Sequence, residues 1–108
     1  MYRYLSLIAL LFTSAAYSWD GNIRGKIDRI DVAEKNNYDF RVTLKGGDGN
    51  VLFSCSDSVN WSYTNEGQSN YSTYVAVLLA AKMADKEVTI FTTKDAQGYC
   101  RIGYVVIH

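Results

Sequence analysis

The side chains with the most chemical potential in this chain are few and far apart. Its 108 residues hold two cysteines, Cys55 and Cys100, and one histidine, His108, at the end of the sequence. Nucleophilic catalysis needs a hydroxyl or thiol beside a base, and a lone terminal histidine is a poor base for a group in a folded core. There is no C-x-x-C and no His/Cys set with the spacing of a metal site. The carboxylates stand singly. Asp28 and Asp31 are close in sequence, but the pattern there is that of a solvated strand face rather than a paired acid and base. Asp48-Gly49-Asn50 lacks the remainder of a calcium loop. The glycines at 46, 47 and 49 lack the Lys-Ser/Thr and the following helix of a phosphate cradle. The expectation is a protein that is not an enzyme and uses no metal or cofactor.

Binding is the chemistry that remains. Residues 56–70 read as a polar loop carrying two large aromatics, and its part from Asn60 to Asn70 is the candidate site. Trp61 and Tyr63 offer flat apolar faces to the C–H side of a sugar ring. Asn60, Asn65, Glu66, Gln68 and Ser69 offer hydrogen-bond partners to its hydroxyls. The competing role for Trp61 is a core anchor for the loop. Asn60-Trp61-Ser62 and Asn70-Tyr71-Ser72 also match the N-glycosylation tripeptide, a pattern common by chance. Basic and acidic side chains balance at 11 each, without a basic patch or charge run, which argues against electrostatic nucleic-acid binding. Nine tyrosines suit a neutral, sugar-like partner, although packing in a β core accounts for most of them.

The cysteines depend on where the chain resides. Arg3, the apolar run Leu5–Phe12, and small Ala16 and Ser18 before Trp19 have the pattern of a cleaved export signal. The apolar run is far shorter than the ~20 residues of a membrane span, and no later segment is apolar enough for one. Residues 1–18 are therefore expected to be a signal peptide and 19–108 a single domain, secreted or periplasmic, with no membrane insertion. Loss of Arg3 tips the formal charge to −1. In an oxidising compartment the two cysteines allow one intramolecular disulfide, Cys55–Cys100.

The elements that would position these groups follow from periodicity. Gly21 to Val32 reads as a strand whose alternation slips near Asp28-Arg29, the mark of a bulge or bend. Asn36-Asn37 is a turn. Tyr38, Phe40, Val42 and Leu44 alternate with polar residues as a half-buried strand. A glycine hairpin leads to a third strand at Val51–Cys55. After the polar loop comes one helix, capped by Ser69 or Asn70, with Tyr71, Tyr74, Val75, Leu78, Leu79 and Lys82 on one face. Glu87–Thr93 and Tyr99–Ile107 are the last strands, joined by a turn ending at Gly98. The order β-β-β-α-β-β predicts a mainly β fold, the five-stranded OB-fold barrel with a helix between strands three and four, with a small α+β sandwich of the same order as the alternative.

Several motifs together resemble the B subunit of bacterial subtilase cytotoxin and exported proteins like it. They are Gly25-x-Ile27-x-x-Ile30-Asp31, Tyr38-Asp39-Phe40-Arg41, Cys55 ahead of Trp61, Asn65-Glu66 and Ser69-Asn70-Tyr71. Val77 to Lys82, Val88-Thr89-Ile90 and Gly98 to Tyr104 complete the set. The resemblance implies an OB-fold subunit in a homopentameric ring that binds sialylated host-cell glycans and carries an enzymatic A subunit. Two features depart from it. The toxin subunit has a cysteine on the strand corresponding to Tyr38–Leu44, where this chain has none, and no motif here locates the toxin's sugar-contacting serine. The alternative expectation is a monomeric periplasmic OB-fold binding or inhibitor protein with a protein or small-molecule envelope ligand.

Overall fold

A computed structural model describes residues 18–108. The expected signal peptide thus lies outside the described residues, but for Ser18. No helix among the described residues is long and apolar enough to cross a membrane. The domain is mainly β, with β1 Gly21–Val32, β2 Phe40–Lys45, β3 Ser62–Thr64, α1 Tyr71–Met83, β4 Glu87–Lys94 and β5 Cys100–Ile107. The strands join in the order β1-β2-β3-β5-β4, and the sheet closes on itself because β1 pairs with both β2 and β4.

β1 serves two neighbours because it bends. Its first half pairs with β4 from Gly21 to Lys26, and its second half with β2 out to Val32. The register shifts between Ile27 and Arg29, where the alternation of the sequence slips. A bulge leaves ladder carbonyls without strand partners. Here the Lys82 ammonium, from the end of α1, donates to the carbonyls of Ile27 and Asp28 at 3.2 and 3.3 Å. Gly25 permits the crossover, since a Cβ there would collide with the carbonyl of Lys45.

Inward residues of four strands build the core: Ile27, Phe40, Val42, Leu44, Val88, Ile90 and Ile102. Leu78 and Ala81 of α1 plug it, and Tyr71, Tyr74 and Val75 pack around them. Leu79, expected on this face, is exposed instead. Asn70, one of the two residues expected to cap the helix, does occupy the N-cap position, but with a left-handed backbone and no capping bond from its side chain.

The third strand differs from expectation. Val51–Cys55 forms no strand; Val51 makes one isolated bridge to Lys45 and Phe53 is exposed. The strand is Ser62–Thr64, inside the segment read as a loop, and α1 follows it. It pairs antiparallel with β2 and parallel with β5. All three of its residues are buried, so its hydroxyls need partners. Ser62 takes Ser54 Oγ at 2.7 Å, and Thr64 reaches Gln68 Oε1 at 3.5 Å. The Cys55–Cys100 disulfide ties the 51–61 segment to β5 and forms a second small core with Val59, Trp61 and Tyr99.

Candidate functional site

The seven residues expected to bind a ligand part into four environments. Tyr63 is turned inward, with 3 % of its surface exposed, and its hydroxyl donates to Asp95 Oδ2 at 2.6 Å. Burial first, and then this bond, push the Tyr63 phenol well above its ordinary range. At Asp95, burial acts to raise the carboxyl. It is outweighed by the Tyr63 hydroxyl and the N–H groups of Tyr99, Gln97 and Gly98, which leave the group below its ordinary range.

Asn65, Glu66 and Gln68 knit two turns together. Asn65 Oδ1 accepts from the Asp39 N–H at 3.1 Å, and Gln68 Oε1 from the Asn65 N–H at 2.9 Å. The Glu66 N–H donates to Asp39 Oδ2, which also accepts from the Asn36 N–H. The Asn65 and Gln68 side chains and the Glu66 backbone are thus engaged in holding the 65–68 turn against the β1–β2 turn. Ser69 lies, with the edge of Gln68, in a shallow depression of about 400 Å³ between the start of α1 and Arg101 of β5.

Asn60 and Trp61 do meet. They line a cleft of about 300 Å³ on the outer surface of β1 and β2, with Asp28, Arg29, Asp31 and Arg41. Trp61 is not an open platform. The Arg41 guanidinium lies 5.2 Å from its ring centroid, and the Tyr99 ring 5.0 Å away. Tyr38, whose backbone is left-handed (φ 51°), presents its ring edge-on to Trp61, Tyr63 and Tyr99. Mutual edge-to-face packing of this kind uses up aromatic faces that a sugar would need.

An exposed aromatic ring stands elsewhere, on the outer face of β5. Residues directly opposite in an antiparallel ladder share a face. Asn22 of β1, Phe91 of β4 and Tyr104 of β5 form one such row, and Arg24, Thr89 and Val106 the next. Phe91 and Tyr104 stack at 5.0 Å with 30° between their planes, and Tyr104 is 51 % exposed. Trp19 adds a third ring, 5.8 Å from Phe91 and 6.4 Å from Tyr104. It lies over Gly103, where a Cβ would come within 2.5 Å of its ring. Polar groups rim these rings. The His108 ring and the Thr89 hydroxyl are 2.7 Å apart, and Arg24 Nε donates to Glu87 at 2.8 Å. Sequence reasoning missed this surface. Its one local signal was the pair of aromatics on the outward phase of β4 and β5. Among the described residues no group of three or more His, Cys, Asp or Glu could hold a metal ion. No family model, curated protein or solved structure matches this chain.

Proposed function

We propose that the domain is a non-catalytic, glycan-binding OB-fold protein of the toxin B-subunit kind, exported and assembling as a ring. The observation that carries the reading is the exposed Tyr104 ring, stacked on half-buried Phe91 with half-buried Trp19 beside them. A pyranose needs a flat apolar face for its C–H side and hydrogen-bond partners at the rim. This surface sets three aromatic rings beside Asn22, Arg24, Thr89 and His108. The OB-fold part rests on the closed order of the strands and on the helix between β3 and β4. The ring part is supported by the outer side of α1, where Leu79 is exposed and Met83 is 87 % exposed. Apolar side chains of this size are ordinarily covered in an assembly when they cluster. An enzymatic A subunit is the partner that such a ring would carry.

The test is binding of the oxidised domain to surfaces bearing sialyllactose, lactose and a broad panel of glycans. Binding that weakens at least about tenfold in Tyr104→Ala and in Phe91→Ala is the expected result. Failure of the parent domain to bind any glycan sinks the reading. Native mass spectrometry tests the ring separately. A pentamer supports it, and a monomer at high concentration favours the periplasmic binding or inhibitor role.

A further inference from the structure

The cleft beside Trp61 gathers two aspartates and two arginines. Asp31 is taken by Arg29, whose Nη2 lies 3.1 Å from each of its carboxylate oxygens. Asp28 faces Lys45 at 4.0 Å. Arg41 is the cation left over. Its Nε donates to the carbonyl of Tyr38 at 2.8 Å and its Nη2 to the carbonyl of Asn37 at 3.1 Å. Both partners are neutral, and among the described residues Arg41 is in no ion pair. It is half-buried and stacks on Trp61. A guanidinium has five N–H donors in a rigid plane, and these two bonds fix that plane while leaving donors over. Asp31 stands opposite Arg41 in the β1–β2 ladder but is held by Arg29, so the result is a fixed planar cation with spare donors in a concave site, which is how proteins recognise oxyanions.

We propose that the Arg41 cleft is a receptor for a carboxylate on a small polar ligand. Two aspartates and two arginines line the cleft, and Lys45, reaching Asp28 from outside it, leaves Arg41 as the one positive charge not in an ion pair, which a monoanion neutralises. A dianionic phosphate would meet the two aspartates at close range. Asn60 and Thr43 supply hydrogen-bond partners for hydroxyls, and the Trp61 ring backs the guanidinium rather than facing the ligand. The site is separate from the Tyr104 surface and stands whether or not that surface binds a sugar.

The experiment follows the Arg41 Nε–H and Trp61 indole N–H by NMR in the oxidised domain. The probes are sodium glucuronate, glucose, sodium phosphate and sodium chloride. Saturable shifts of both signals with glucuronate alone are expected. Arg41→Lys, which keeps the charge but loses the planar fork, should weaken binding about tenfold. Because Arg41 also holds the 37–38 turn, Asn60→Ala is the second variant, and it should weaken glucuronate at least about twofold with the other resonances unmoved. Equal shifts with glucose or sodium chloride would overturn the proposal. So would tighter binding of phosphate than of glucuronate, or unchanged glucuronate affinity in both variants.

Discussion

The hydroxyl of Tyr63, on β3, donates to Oδ2 of Asp95, in the turn between β4 and β5, across 2.6 Å. The bond crosses the closure of the sheet, where β3 and β5 are joined by only two paired positions, Ser62 with Cys100 and Tyr63 with Arg101. It also fixes the turn, because Asp95 Oδ1 accepts from the N–H groups of Gln97 and Tyr99 at 2.9 Å each. One carboxylate therefore holds a short parallel ladder shut from the side.

Tyr63→Phe keeps the buried ring and removes the hydroxyl. A hydrogen bond to a charged group is worth about 2 kcal/mol, so urea unfolding at neutral pH should show a loss of that size. The pH dependence has a definite sign. The Tyr63 phenol is raised in the fold, so its contribution is whole below the ordinary phenol range near pH 10 and is lost as pH climbs towards the folded value. The parent domain should lose stability above about pH 10 more steeply than Tyr63→Phe. Parallel curves in that window would show that the phenol is not held in this way.

Asp95 gives the opposite limb. Its carboxyl is lowered in the fold, so its contribution is present above the ordinary carboxylate range and fades as pH falls through the folded value. Between about pH 4 and pH 2 the parent should lose stability that Asp95→Asn, already weaker at neutral pH, does not have to lose. Thermal unfolding of the two proteins across that window reads the difference directly.

The disulfide acts on the unfolded chain. Cys55 and Cys100 are 45 residues apart, and closing a loop of that length contributes about 4 kcal/mol in the chain-entropy model. Cys55→Ala with Cys100→Ala should cost a similar amount, comparable to the whole margin of many small domains. The damage should be local at first. The 51–61 segment makes only isolated bridges of its own, so its amides should exchange with solvent before those of β1, β4 and β5.

How much of this was legible in the sequence varies by element, for physical reasons. β1 and β2 were readable because one face of each is apolar, and the slip in alternation at Asp28 marks the bulge. β3 was not. Ser62 and Thr64 are buried although polar, since a strand squeezed between β2 and β5 has no solvent side, and nothing local distinguishes such residues from a loop. Val51–Cys55 shows the reverse case: apolar Phe53 looks like a strand residue and is exposed. Within the candidate loop, Trp61 and Asn60 reached a cleft, but Asn65 and Gln68 went to partners supplied by distant Asp39 and by their own turn. The Tyr104 surface gathers residues 19, 91 and 104, which only long-range strand pairing brings together.

Gly103 gives a way to disturb that surface without touching its rings. The register of β5 against β4 shifts between Phe91 and Thr92, so Gly103 is the extra residue of a bulge beside the Phe91–Tyr104 pair. Its backbone is not in the left-handed region, so alanine is permitted there, but a Cβ would stand 2.5 Å from Trp19 Cζ3 and 2.9 Å from Cη2. The indole must move, and with it goes stacking worth about 1 kcal/mol. Gly103→Ala should therefore leave the fold intact, shift tryptophan emission to the red, and weaken glycan binding if the three rings act as one platform. Gly47→Ala is the matched control, because a Cβ there meets nothing within 4 Å. If Gly103→Ala moves the emission but leaves glycan affinity at the parent level, Trp19 is packing alone, and Phe91 with Tyr104 must carry the sugar unaided.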